Sequence, residues 1–265
     1  MLQALLYAPW WRFRSVSSEA AEEEDGMIET LFRNLERRDV LPDSYRTRLS
    51  EIVIRERRFA KGEDIVADGS RPTYSTLLVE GFAGRYKLTH EGARQITSLH
   101  VPGDFVDLHA FLLKTMDHGI SALSPCTVVL VDHAGLKRIT EQVPHLTRML
   151  WLDTLITGSI HRSWIVAMGR RSKSSHLAHI LCELYIRLQA IDRVDGRSFH
   201  FPLSQGEMAD VMGLSLVHIN RVIQTLRQEN VISWTNQTIT VLDWDRLQAL
   251  AEFDPTYLNL WSEPR

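Results

Sequence analysis

The sequence is poor in cysteine, and this scarcity excludes several classes of protein. Its 265 residues contain 2 cysteines, Cys126 and Cys182, which stand far apart in apolar surroundings. Such a pair indicates no disulfide framework of the kind that secreted scaffolds use, and it fits a reducing cytoplasm. One chain with so few thiols also cannot hold an iron–sulfur cluster on four cysteines.

The chain also lacks a long apolar run and a marked excess of either charge. No stretch approaches the length of a membrane span. No lysine or arginine precedes the short apolar segment Leu2–Trp11, so we predict neither a signal peptide nor a membrane anchor. The net charge of −3 gives no sign of a nucleic-acid partner, but electrostatic attraction depends on local charge. Positive residues do gather in the C-terminal half, at Arg162, Arg170, Arg171, Lys173, Arg221 and Arg227.

The most informative stretch is Leu203–Val231, which predicts two short helices joined by a tight turn. Ser204 and Glu207 have the spacing of a capping box at the start of the first helix. Gly213 stands where a helix needs a left-handed residue to end, and Ser215 can cap the second helix. Buried positions recur at helical spacing, in the first helix at Met208, Val211 and Met212 and in the second at Ile219, Val222, Ile223 and Leu226.

The opposite face of the second helix is cationic and rich in amides, which is typical of the recognition helix of a helix-turn-helix. The planar guanidinium of Arg221 suits the O6 and N7 atoms of guanine, and the helix start at Ser215 suits a phosphate. On spacing alone, an ordinary helical hairpin with a solvated face is the alternative. We predict DNA contacts from Ser204, Gln205, Ser215, Val217, His218, Asn220, Arg221 and Gln224.

A small hairpin follows these helices. Val231–Ser233 and Thr238–Leu242 alternate like strands, with Asn236 and Gln237 between them as a turn. A helix-turn-helix followed by a hairpin is a winged helix. The segment GLSLVHINRVIQTLRQENVIS resembles the winged helix of the Crp/Fnr superfamily of bacterial transcription regulators, and the resemblance extends over roughly residues 50–260.

The resemblance implies roles for individual residues of the second helix. Arg221 matches the family arginine that contacts a guanine. Many members carry a glutamate four residues before that arginine, whereas this sequence has Val217, so its base preference at that step should differ. His218 and Asn220 match positions that often face DNA in the family.

Residues 52–132 have a different sequence pattern. Short alternating strands are separated by turns that contain glycine, a pattern that indicates a β-sandwich or jelly roll. The segments Lys61–Glu63, Leu77–Gly81 and Val101–Phe105 resemble the cyclic-nucleotide-binding fold that precedes the winged helix in the same family. The alternative is a small β-barrel that binds no ligand.

The predicted fold class is therefore α+β: an N-terminal antiparallel β jelly roll, a long dimerisation helix and a C-terminal winged helix-turn-helix. We predict a flexible N-terminal extension (1–26), a sensory domain (27–143), a dimerisation helix with its hinge (144–170) and a DNA-binding domain (171–265). The hinge should lie at Gly169–Ser174.

The long helical pattern has more than one apolar face. One seam recurs at three- and four-residue steps, at Met149, Leu152, Ile156, Ile160, Trp164 and Ala167. Leu150, Trp151 and Leu155 lie off that seam, so one face can cover the barrel and another a second copy of the helix. The alternative is a single buried helix. The family comparison favours a homodimer.

The effector is the least determined feature. In the family, a glycine–glutamate pair holds the ribose and an arginine holds the cyclic phosphate, but Val106-Asp107 and Asp117–Gly119 stand at these places. Because an aspartate beside a cyclic phosphate repels it, we expect that cAMP and cGMP do not bind in the usual way. The candidate effector pocket comprises Asp107, His109 and His118. Histidines at 100, 109, 118 and 133 match no metal motif, so no metal or haem cofactor is predicted; the alternative is a haem held by one imidazole or a small-molecule effector.

These observations predict a cytoplasmic transcription regulator that binds double-stranded DNA as a homodimer, with RNA polymerase as a further partner and no membrane association. Such a protein is not an enzyme. One alternative is a regulator that needs no effector and uses its barrel as a scaffold. Another is a cupin-like metal enzyme, which would need a His-x-His pair that this sequence lacks.

Overall fold

A computed structural model of the protein describes residues 28–265. The predicted flexible extension, residues 1–26, lies outside the described residues. Within the described range every helix is too short or too polar to cross a bilayer. The chain runs through a β-barrel with helices at its ends, then one long helix, and then a helical domain with a small sheet.

The barrel confirms the predicted antiparallel jelly roll. Two helices precede it, α1 (28–36) and α2 (Ser44–Ser50). Its strands pair antiparallel in two sheets of order β1-β7-β3 and β2-β6-β4-β5. They are β1 (Val53–Phe59), β2 (Asp64–Val66), β3 (Tyr74–Glu80), β4 (Ala83–Leu88), β5 (Arg94–His100), β6 (Gly119–Ala122) and β7 (Cys126–Asp132), with the one-turn helix α3 (Ala110–Leu113) between β5 and β6.

The sequence pattern did not predict strands β1 and β6. Most of β1 is charged and exposed, since Arg55, Glu56, Arg57 and Arg58 occupy its middle. Strand β1 lies at the edge of its sheet, where charged side chains are favoured because they discourage pairing with other chains. Strand β6 is short and buried throughout, so it shows no alternation.

After α4 (His133–Gln142), the long helix α5 (Pro144–Arg170) covers the barrel. Six of its predicted contact positions face its own chain, as five buried residues and the half-buried Leu152. A second face remains uncovered: Trp151 is 63% exposed, Leu155 54% and Ile165 68%. Leu150, by contrast, is buried within its own chain.

The C-terminal domain confirms the winged helix. Its helices are α6 (Lys173–Gln189), α7 (Gln205–Met212), α8 (Leu216–Gln228) and α9 (Trp244–Ala251), followed by a 3-10 turn at Pro255–Leu258. Strands β8 (Ser198–His200), β9 (Ile232–Thr235) and β10 (Thr238–Val241) form a sheet of order β8-β10-β9. Asn236 and Gln237 make the hairpin turn at φ 49° and 61°, the left-handed pair that suits a twisted two-residue hairpin.

One apolar core joins the barrel to the C-terminal domain. Phe82 and Leu99 of the barrel, Trp164 of α5 and Phe201 beside β8 belong to the same buried cluster. The rings of Phe82 and Phe201 meet edge to face with centroids 6.0 Å apart. Aromatic pairs in this geometry attract one another beyond the area they bury, so they fix the position of the winged helix against the barrel.

We expect Phe201→Ala to lower the free energy of unfolding by about 3–5 kcal/mol, the cost of truncating a buried phenylalanine. Urea denaturation followed by circular dichroism measures the change. Leu242→Ala is the matched control, because Leu242 is partly exposed in the same domain. Equal losses in both variants would contradict the structural role of the Phe82–Phe201 contact.

Candidate DNA interface and the adjoining cavity

Local sequence determines the geometry of the helix-turn-helix. The Ser204 hydroxyl accepts from the Glu207 N–H at 3.2 Å, and the Glu207 carboxylate accepts from the Ser204 N–H at 2.6 Å. This reciprocal pair is the predicted capping box. Gly213 then ends α7 at φ +62°, a left-handed conformation that costs other residues energy.

The second helix starts at a capped residue and carries a strongly amphipathic pattern. The Ser215 hydroxyl accepts from the His218 N–H at 3.4 Å. Ile219, Ile223 and Leu226 are buried, and Val222 is half-buried. The predicted inner face of the recognition helix is therefore confirmed.

All eight predicted DNA-contacting residues remain accessible. Asn220 is half-buried and the other seven are exposed. Val217, Arg221 and Gln224 follow one another at helical spacing, so they share one face of α8. Ser204 and Gln205 lie instead at the start of α7, and Ser215 lies at the free N–H groups that open α8.

The charge on this face is not neutralised within the described chain. Among residues 28–265, neither Arg221 nor Arg227 forms an ion pair, whereas Arg246 of α9 pairs with Glu229 at 3.0 Å. Unpaired guanidinium groups beside a helix N-terminus provide donors for phosphate oxygens and base edges.

The first helix of the pair, α7, packs on the barrel. Lys61 pairs with Glu207 at 2.9 Å, and Arg94 pairs with Asp210 at 2.8 Å. The Gln95 side chain also donates to the carbonyl of Val211 at 3.0 Å. These contacts hold α7 on the barrel, and the outer face of α8 stays exposed.

A cavity of about 580 Å³ lies between the barrel and the C-terminal half of α5. Two of its wall residues also approach the helix-turn-helix. A Cβ atom placed on Gly213 would lie 3.1 Å from the Gln95 side-chain oxygen and 3.8 Å from the Met168 methyl group. The turn between α7 and α8 therefore lies directly behind one wall of the cavity.

The predicted effector residues do not all reach this cavity. His109 and His118 line it, with ring centroids 5.0 Å apart. The prediction that Asp107 lines the effector pocket was wrong. Its side chain points into the core, where its carboxylate accepts from the Thr76 N–H and hydroxyl. Complete burial raises the pKa of Asp107 to about 7. The prediction failed because spacing cannot tell which way a loop residue turns.

Sequence reasoning also missed cavity residues that come from other elements. Arg85 of β4 is buried, its Nη2 donates to the carbonyl of Val106 at 3.0 Å, and its Nε has no partner. His161 comes from α5. Arg85 precedes the Val101–Phe105 turn, whereas the resemblance places the phosphate-binding arginine after it, and no arginine occurs between Arg94 and Arg138. Within residues 28–265, no group of three or more histidine, cysteine or acidic side chains is placed to hold a metal ion.

Comparison with known proteins agrees with this architecture. Residues 56–143 match the model of the cyclic nucleotide-binding domain, and residues 175–250 match that of the Crp-like helix-turn-helix domain. The chain belongs to the Crp/Fnr family of transcription regulators. It is a DNA-binding regulator by this membership, and the winged helix is the element that would bind.

Several relatives cover most of the chain. The nitrogen fixation regulation protein FixK of Bradyrhizobium diazoefficiens is 28% identical over 79% of this chain and 87% of its own length. The transcriptional activator Anr of Pseudomonas aeruginosa is 28% identical over 77% of this chain and 83% of its own. The structure of FixK2 from Bradyrhizobium japonicum has a TM-score of 0.67 at 23% identity, covering 75% of this chain and 97% of that one.

We expect Asp210→Asn to loosen the helix-turn-helix from the barrel, because Arg94 loses its ionic partner. The pair is partly exposed, so the loss should be at most about 1 kcal/mol. That loss corresponds to cleavage about fivefold faster at most by trypsin at Arg170–Lys173 if opening controls access. Mass spectrometry of the fragments measures the rate.

The matched control is Asp245→Asn, which removes an exposed carboxylate from α9. Its cleavage rate should equal that of the unchanged protein. If Asp210→Asn shows no faster cleavage between α5 and α6 than this control, the Arg94 pair does not hold the two parts together.

Proposed function

We propose that the protein recognises a specific double-stranded operator as a two-fold dimer, with α8 of each copy in the major groove. The observation that supports this most directly is the exposed face of α8 on a fully capped helix-turn-helix. Its width and donors suit base edges. Arg221 takes a guanine, His218 and Asn220 take neighbouring groups, and Ser215 takes a phosphate.

Dimerisation uses the uncovered face of α5. Trp151, Leu155 and Ile165 are more than half exposed, and they recur at helical spacing. Large apolar side chains exposed in a row are typical of an interaction surface. A second copy of α5 covers this row about a two-fold axis, and the two recognition helices then lie about 34–36 Å apart, one turn of DNA.

An effector in the cavity would regulate this binding. Gln95 and Met168 line the cavity and lie against the Gly213 turn, so a ligand that displaces either side chain also disturbs the docking of α7. Such an effect must be reciprocal, and operator DNA in turn changes the affinity for the effector. An effector-free regulator is the alternative, and an affinity for DNA that no occupant of the cavity alters would favour it.

The protein acts in the cytoplasm, in contact with RNA polymerase when it activates. The reduced state of both cysteines fits that compartment, since Cys126 and Cys182 are buried and free.

We expect Arg221→Ala to weaken binding to the operator by about 1–3 kcal/mol through the loss of one bidentate base contact. This corresponds to a dissociation constant about 5 to 150 times higher. The operator is first found by genomic footprinting with the purified protein. Fluorescence anisotropy with that operator and with a scrambled duplex then measures the change.

The matched control is Arg58→Ala, because Arg58 is an exposed arginine on strand β1 of the barrel. It removes the same charge and should leave operator affinity unchanged. An Arg221→Ala variant with an unaltered footprint and the control's affinity would remove the assignment of α8 as the recognition helix.

We expect Leu155→Asp to convert the dimer to monomers, because it buries an unpaired carboxylate at the interface. The cost is about 3 kcal/mol or more per buried charge. Analytical ultracentrifugation measures the shift. Leu112→Asp is the control, since Leu112 is also an exposed leucine but lies on α3. A Leu155→Asp variant that sediments as a dimer would exclude α5 as the interface.

A further inference from the structure

Three imidazole groups line the cavity and leave a ring nitrogen without a partner. The Nε2 atoms of His109, His118 and His161 are buried, and none of them has a hydrogen-bond partner in the described chain. An unpaired polar atom in a protein interior costs free energy. Three such atoms around one space of about 580 Å³ therefore indicate a site for a ligand that hydrogen bonds to them.

One of these imidazoles is held in a fixed orientation. The Nδ1 atom of His118 lies 2.6 Å from the Asp117 carboxylate, which holds the ring by accepting from that nitrogen. His118 is 6% exposed and lines the cavity, and its Nε2 is shielded from solvent. His109 lies against it, ring to ring, at 5.0 Å.

Positive charge in the cavity comes from Arg85. The side chain is 8% exposed, and its Nε is a second kind of unpaired donor. The pKa of Arg85 falls to about 10 through burial, so it stays charged at neutral pH. Burial is the largest cause that lowers the pKa of His109, His118 and His161, and the charge of Arg85 lowers it further. A metal cation would be repelled by this arginine, whereas an anion is attracted.

The opposite wall is apolar. Leu113, Trp164, Ile165 and Met168 line it; Trp164 is buried, and the other three offer exposed apolar side chains to the body of a ligand. The carboxylate that might hold ribose hydroxyls, Asp107, is instead engaged with Thr76 in the core. The cavity thus combines donors for an acidic group with a surface for an apolar body, and Asp117, the acid among its lining residues, is paired with His118 at 2.6 Å.

We propose that this cavity binds a small organic acid with an aromatic or branched apolar body, whose acid oxygens accept from Arg85, His109 and His161 while its body packs on Ile165 and Met168. The proposal rests on the proposed function, in which an occupant of this cavity alters DNA binding through Gln95 and Met168. The recognised chemistry is that of a carboxylate, not that of a cyclic nucleotide.

Binding is linked to protons with a definite sign. In the empty cavity, burial and the charge of Arg85 lower the pKa of His109 to about 3 and that of His161 to about 4. A bound anion favours the protonated imidazole, so binding takes up protons and affinity rises as pH falls. The charged and titratable groups that face the ligand are Arg85, Lys87, His109, Asp117, His118 and His161.

The test uses the full chain and matched probes that share one body. Isothermal titration calorimetry compares 3-phenylpropionate with its neutral amide, 3-phenylpropanamide, and with cAMP and ZnCl₂. We expect one saturable site per chain for the acid, binding at least about tenfold weaker for the amide, and acid affinity that increases as the pH is lowered from neutrality towards the low pKa values of the empty imidazoles.

Variants separate the cavity from the rest of the surface. His161→Gln should weaken binding of the acid by about fivefold or more, because the amide of glutamine cannot take up the proton that gives the imidazole its positive charge. Arg85→Gln should weaken it further, and thermal unfolding tests whether that buried replacement still folds. His90→Gln is the control, since His90 is exposed in the turn between β4 and β5.

Each outcome supports or overturns the proposed site for an organic acid. Equal affinity for the acid and the amide, or for His161→Gln and His90→Gln, overturns the proposal, as does the absence of saturable binding at millimolar acid. Stoichiometric zinc binding that His161→Gln abolishes would make this a metal site, and tight cAMP binding would make it a nucleotide site. Operator binding lost in Arg221→Ala, but unaffected by the acid, would leave the proposed DNA function standing and remove only the effector.

Discussion

The turn at Gly213 is the place on which the rest of the structure depends. Gly213 adopts a left-handed conformation, which directs α8 away from α7. A Cβ atom placed on Gly213 would lie 3.1 Å from the side-chain oxygen of Gln95 and 3.8 Å from the methyl group of Met168. A larger residue would be strained by the left-handed backbone, and its Cβ would press on the end of the Gln95 side chain. The same glycine therefore sets the direction of the recognition helix and contacts the wall of the cavity.

A buried polar network connects the same cavity to the base of the C-terminal domain. Trp164, which lines the cavity, donates to Glu183 of α6 at 3.1 Å, and Glu183 also accepts from Tyr257 at 2.7 Å. Arg187 pairs with Glu183 at 3.4 Å and also with Asp104 of the barrel. Since removing one member would leave a charge buried without its partner, the network holds α5, α6 and the barrel in one relative arrangement.

Sequence alone predicted what neighbouring residues determine and missed what packing determines. The capping box at Ser204, the turn at Gly213 and the hairpin at Asn236 depend on local chemistry, and the structure confirms each of them. Strand β1 escaped prediction because an edge strand can be charged. The cavity brings Arg85 and His161 together from elements far apart in the chain, and no spacing rule reports such a contact.

The shared core limits how this regulator can switch. Helix α5 ends at Arg170 and α6 begins at Lys173, so the chain has a break where a hinge was predicted. A free swing about that break would expose Phe201, which is fully buried against Phe82 and Trp234. Because exposing such a side chain costs about 1.5–3 kcal/mol, small sliding of α7 along β5 is the less costly motion, and it is the kind of shear that closely packed helices permit.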